Sequence, residues 1–103
     1  MNEKLKDPQT DALFDAILTL KNREECYRLF EDLCTVAEIK SLAQRLQIAS
    51  LLYEGKTYVE IFETTGGSTA TISRVNRCLE YGADGYRTVL KRLEDNSRST
   101  EQE

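Results

Sequence analysis

The stretch Thr57-Tyr58-Val59-Glu60-Ile61-Phe62-Glu63-Thr64-Thr65-Gly66-Gly67-Ser68-Thr69-Ala70-Thr71-Ile72-Ser73-Arg74 decides the fold. It reads as a short helix, a glycine turn and a second helix, the order of a helix-turn-helix, whose second helix enters the DNA major groove. On a helical projection Ile72, Val75 and Leu79 share one face, and are expected to pack against Ile61 and Phe62 of the preceding helix. The opposite face carries Ala70, Ser73, Arg74, Arg77 and Tyr81, with Thr69 and Thr71 near the start. Short hydroxyl side chains let a helix sit deep in a groove. Arginine can pair with guanine or grip phosphate, and an alanine or threonine methyl can touch the thymine methyl. Ser68 is placed to cap the helix, whose N-terminus favours phosphate. The candidate DNA-binding residues are therefore Ser68, Thr69, Ala70, Thr71, Ser73, Arg74 and Arg77. Phe62 stands where such motifs usually hold alanine, so the packing of the two helices is expected to differ there.

Outward from this motif, helix boundaries are legible. Asp7-Pro8 offers a cap followed by proline at the first helical position. Asn22 with Glu25, Thr35 with Glu38, and Thr57 with Glu60 each have the spacing of a capping box. Asp84 is placed to cap a last helix, and Gly55, Gly66-Gly67 and Gly82 mark stops. Six helices follow, at about 8–20, 23–33, 36–54, 58–65, 69–81 and 85–94. No run alternates with period two, so strands are not expected. The segment 95–103 has no apolar side chain to bury and reads as a disordered acidic tail.

The first two helices are amphipathic, with stripes Leu13, Phe14, Ile17, Leu18 and Leu20, then Cys26, Tyr27, Leu29, Phe30 and Leu33. The third is apolar over most of its circumference, as a helix buried on several sides must be. A chain of 103 residues has room for only one modest core. The two leading helices thus read as dimerisation arms, a second copy covering what one chain leaves open.

The net charge of −4 counts mildly against nucleic acid, but charge is unevenly spread. Residues 1–65 hold 8 basic and 12 acidic side chains, whereas 66–94 hold Arg74, Arg77, Arg87, Lys91 and Arg92 against Glu80, Asp84 and Glu94. The small basic surplus falls on and just after the proposed recognition helix, where phosphate contacts are needed. Catalysis is disfavoured: histidine is missing, no carboxylate pair suggests a cleft, and Gly66-Gly67 lacks the lysine of a phosphate loop. Cys26, Cys34 and Cys78 have no metal-ligand spacing and read as buried thiols of a reducing cytoplasm. No metal or cofactor is expected. No membrane span or signal peptide is recognisable, and the expected location is cytoplasmic.

From Thr35 to about Leu93 the chain resembles the tryptophan repressor family, in particular its YerC/YecD branch of bacterial homologues. The likeness is carried by Leu33-Cys34-Thr35 with Glu38, by Leu42, Arg45 and Ile48, by Leu52 with Gly55, and by Ala70-Thr71-Ile72-Ser73-Arg74 with Leu79. One gap after Gly55 is required. The resemblance implies an all-α, six-helix fold over residues 1–94, with the helix-turn-helix at about 57–81. It also implies an intertwined homodimer on a palindromic double-stranded DNA operator, acting as a transcriptional repressor. The family binds tryptophan between the third helix and the recognition helix. By position Thr35, Arg45, Thr71 and Arg74 match its pocket, while Val75 stands for a glycine that leaves room for the indole and Cys78 for a serine. Arg45 also fits an interhelical ion pair or a snorkelling stem. A β-branched side chain in the slot fills it, so tryptophan is not expected to bind, and any effector is a smaller, unidentified molecule. The rival reading is a helical protein-interaction module that keeps the fold without reading DNA, favoured slightly by the acidic pI.

Overall fold

The computed structural model describes the backbone of residues 2–102 and the side chains of residues 2–98. Helix boundaries follow the local signals closely. A 3-10 turn, η1, at Glu3–Leu5 precedes six α-helices: α1 Pro8–Leu18, α2 Arg23–Leu33, α3 Val36–Tyr53, α4 Tyr58–Thr65, α5 Thr69–Tyr81 and α6 Gly85–Gln102. Among the described residues there is no strand, and no helix is long and apolar enough to cross a membrane.

The caps account for these boundaries. The Asp7 side chain accepts from the Thr10 N–H at 2.7 Å, with Pro8 opening α1. Thr35 and Glu38 cap reciprocally: the Glu38 N–H donates to the Thr35 hydroxyl at 3.1 Å, and the Thr35 N–H to the Glu38 carboxylate at 2.8 Å. Thr57 and Glu60 repeat the arrangement at 3.2 and 2.8 Å. At Asn22 the box is shifted by one residue, because Glu25 accepts from the N–H of Lys21. Gly55 at φ +88° and Gly66 at φ +72° end α3 and α4 in the left-handed conformation that glycine adopts without a Cβ penalty. Gly82 stops α5 differently: its φ is ordinary, but a Cβ there would collide with the Cys78 carbonyl oxygen.

The end of the chain departs from expectation in two details. Asp84 does precede α6 and its carbonyl receives the first-turn Thr88 N–H, as at an N-cap, but it does so at φ +66° and not in the extended conformation of the other caps. Helix α6 also continues past Glu94, and residues 95–102 are helical where composition suggested a tail; Glu103 lies outside the described residues. No proline or glycine interrupts this stretch, and Arg98 pairs with Glu94 one turn back at 2.6 Å.

The chain divides into two compact units, residues 1–40 and 41–103. Among the described residues, the buried side chains belong to the second: Ile48, Ala49, Ile61, Ile72, Val75, Leu79 and Leu90. Among those of the first unit, only Thr10, Ile17, Leu20, Glu25, Leu29, Phe30, Cys34 and Ile39 are even half-buried. Leu13, Phe14, Leu18, Tyr27 and Leu33 of the expected stripes stay exposed. The thiols are likewise not buried: Cys26 and Cys78 are exposed and Cys34 half-buried, because the apolar faces that carry them are uncovered in a single chain.

The Thr35 backbone N–H holds the Glu38 carboxyl below its ordinary pKa, the hydroxyl adding to it, and Thr57 does the same to Glu60 with a smaller contribution from Lys56. Asp7 is lowered chiefly by the Thr10 N–H. A carboxyl whose pKa is depressed by folding stabilises the fold above its unfolded value and loses that contribution as pH falls. Thermal unfolding is therefore expected to move to lower temperature as pH drops through the ordinary carboxylate range of about 4. The Glu38→Gln/Glu60→Gln double variant should show a shallower decline.

Candidate nucleic-acid interface

Helices α4 and α5 with the turn Gly66–Ser68 form the helix-turn-helix, and both lie within the second unit. The inner face of α5 buries Ile72 and Val75, each about 1% exposed, in one cluster with Ile48, Ala49, Ile61 and Leu90. From α4 only Ile61 enters that core. Phe62 is 56% exposed, contrary to the expectation that it packs beneath the recognition helix. Neighbouring helical positions lie about 100° apart, and on this eight-residue helix Ile61 is the position turned into the core. Phe62 instead shares an outer α4 face with Val59, 66% exposed.

The turn itself is tightly fastened. The Gln44 side-chain amide of α3 donates to the Thr65 carbonyl at 3.1 Å. The Thr65 hydroxyl donates to the Ile61 carbonyl at 2.8 Å and accepts the Gly67 N–H at 3.0 Å. Gly67 is buried against Ile48: a Cβ there would lie 2.8 Å from Ile48 Cδ1 and 3.2 Å from the Thr65 hydroxyl. Ser68 then opens α5, accepting the Thr71 N–H at 3.1 Å while its hydroxyl meets the Thr71 hydroxyl at 3.0 Å. Gly67 is marked in the sequence only as part of a stop, and Gln44 carries no local signal, being one of several polar residues on α3.

The seven candidate DNA-reading residues fall into two groups. Ser68 and Thr71 use their hydroxyls on each other and on the start of the helix, Ser68 exposed and Thr71 half-buried. Thr69, Ala70, Arg74 and Arg77 are exposed, and Ser73 is half-buried. Among the described residues neither Arg74 nor Arg77 reaches a carboxylate. By contrast Arg28 pairs with Glu24, Arg98 with Glu94, and Arg87 with Glu80 at 3.5 Å while donating to the Leu79 carbonyl at 2.8 Å. The recognition face therefore presents two uncommitted guanidinium groups among small side chains, and Glu80 nearby is partly neutralised by Arg87.

The residues matched to an effector pocket have other engagements. Thr35 belongs to the first unit, where its hydroxyl caps α3. Arg45 is half-buried and its Nε reaches back to the Ser41 carbonyl at 3.5 Å, with no carboxylate partner among the described residues. Thr71 is held by Ser68, Arg74 is exposed, and Val75 fills the core. Cys78 lines an open apolar groove of about 590 Å³ with Leu46, Ala83, Tyr86 and Val89.

The family model described as Trp repressor protein matches residues 8–94. The chain is 57% identical over 93 residues to the uncharacterised protein YerC of Bacillus subtilis (strain 168), covering 90% of this chain and 89% of that protein. Two crystal structures are similar. One, from a candidate Trp repressor of Staphylococcus aureus, has a TM-score of 0.86 at 58% identity, covering 89% of this chain and 92% of its own. The other, from a TrpR-like protein of Eubacterium eligens ATCC 27750, has a TM-score of 0.87 at 56% identity, with 90% and 96% covered. With the helix-turn-helix geometry, these similarities identify the six-helix architecture, and the chain belongs to the Trp repressor family.

Proposed function

We propose that the protein is a sequence-specific transcriptional regulator, a homodimeric repressor that reads a palindromic operator and does not respond to tryptophan. The observation that carries this reading is the two-faced α5, with Ile72 and Val75 locked in the core and Arg74 and Arg77 uncommitted on the outside. Bidentate pairing of arginine with guanine supplies discrimination, while Thr69, Ala70 and Ser73 are short enough to let the helix approach the bases.

Homodimerisation is supported by the surface a single chain leaves open. Leu13, Phe14, Leu18, Tyr27 and Leu33 in the first unit, and Leu42, Leu46 and Val89 in the second, are all more than a third exposed. So much apolar surface beside a core of seven buried side chains among the described residues calls for a covering partner. Two recognition helices also double the phosphate contacts, offsetting the small basic surplus of one copy. Insensitivity to tryptophan is supported by Val75, whose side chain occupies core volume beside Ile48 and Ala49.

An interaction module that reads protein is favoured by the apolar outer face of α4, where Val59 and Phe62 stand free beside the turn. Retention on a heparin or DNA column that falls steeply with salt supports DNA reading, because phosphate contacts release counterions. Salt-insensitive retention supports the other reading.

Duplex enriched from a random pool should bind Arg74→Ala and Arg77→Ala about 1–3 kcal/mol more weakly if both contact bases. Parental affinity in both variants would show that the face is assigned wrongly. Titration calorimetry with L-tryptophan is expected to give no heat of binding. A micromolar dissociation constant would mean that the core opens around Val75.

A further inference from the structure

We infer that Gln44 is a positioning residue for operator recognition: it ties α3 to the turn of the helix-turn-helix and presets the start of the recognition helix without a bound small molecule. This rests on the DNA-reading role proposed above. The side-chain amide of Gln44 meets the Thr65 carbonyl across 21 positions of chain, whereas most other side-chain hydrogen bonds stay within a helical turn. Gln44 and Ile48 stand one turn apart on the same face of α3, and both meet the segment Thr65 to Gly67. Gln44 holds the Thr65 carbonyl from one side, and Ile48 lies against Gly67, leaving no space for a Cβ.

Thr65 relays this restraint in both directions. Its hydroxyl is bonded to the Ile61 carbonyl in α4 and to the Gly67 N–H, and Gly67 is followed directly by the Ser68 cap of α5. The position and direction of Thr69, Ala70 and Ser73 thus depend on where α3 holds the turn. Further along, the Val75 side chain closes α5 onto Ile48 and Ala49 of the same helix. The helix-turn-helix is thus held to α3 at the end of α4 by Gln44 and in the middle of α5 by Val75, both from within the chain. Specific recognition needs the small residues at the helix start held in register with base edges, whereas unspecific phosphate gripping tolerates a looser helix. Loss of Gln44 should therefore act mainly on specificity.

The test compares two equal-length duplexes, one selected by the parent protein from a random pool and one unrelated, using full-length chains. Gln44→Leu keeps the bulk and removes the donor. It is expected to bind the selected duplex about tenfold more weakly, the scale of one buried hydrogen bond, with affinity for the unrelated duplex and helical circular dichroism unchanged. Gln44→Glu sets a carboxylate against the Thr65 carbonyl at neutral pH and regains a donor when protonated. Its selectivity should therefore rise as pH falls from 7 toward the ordinary glutamic-acid pKa of about 4.3, more than the parent's does. Parental selectivity in both variants, or equal loss on both duplexes, overturns the inference. If the parent enriches no duplex at all, the DNA-reading role falls and the positioning role with it. Amide exchange then still reports the tie itself, with faster exchange at Gly67 and Ser68 in Gln44→Leu if it exists and unchanged exchange if it does not.

Discussion

The packing of Ile72 and Val75 of α5 against Ile48, Ala49 and Ile61 is the contact on which the rest depends. Each buried aliphatic side chain of this size contributes about 1.5–3 kcal/mol, and the chain has few of them. The same contact decides which way the recognition helix faces. With one edge committed to the core, Arg74 and Arg77 have no inward position to adopt, and the small residues at the helix start are turned outward. Stability and presentation of the outer face are one structural fact.

That economy has a consequence for ligand control. A repressor switched by a small molecule needs a space between its scaffold and its recognition helix that is poorly packed when empty. Here Val75 fills core volume at that level, and the Gln44–Thr65 hydrogen bond supports the turn from the scaffold side. The account that follows is of a reader held ready, with occupancy governed by the amount of protein and the sequence of DNA. The acidic balance of the chain fits this picture. For the proposed regulator, weak unspecific attraction would leave shape and base contacts to determine where it binds.

Much of this was legible in the sequence, because capping is local chemistry. Asp7-Pro8, Thr35 with Glu38, Thr57 with Glu60, Ser68 and the stops at Gly55 and Gly66 each act within a few residues, and they locate α1 through α5 closely. What failed was longer in range or more ambiguous. Adjacent helical positions point about 100° apart, and nothing local says that Ile61 goes in and Phe62 stays out. The end of α6 was misjudged because a lack of apolar side chains argues against burial but not against a helix. Residue type puts Asp84 at the start of α6, where it stands, but does not announce its left-handed backbone. Gln44 carried no motif, since its importance comes from a carbonyl 21 residues away. Among the candidate site residues, helical periodicity placed Arg74, Arg77 and Val75 on opposite faces of α5. The pairing of the Ser68 and Thr71 hydroxyls, by contrast, has no signature in the sequence.

The measurement that reaches the central claim most directly is the stoichiometry and symmetry requirement of DNA binding. Analytical ultracentrifugation with a labelled duplex can compare a selected palindrome, its isolated half-site and a scrambled duplex. The account predicts two chains on one palindrome, with much weaker binding to the half-site and to the scrambled sequence, because two linked recognition helices must engage together. Equal affinity for all three duplexes, or one chain bound per palindrome, would contradict it.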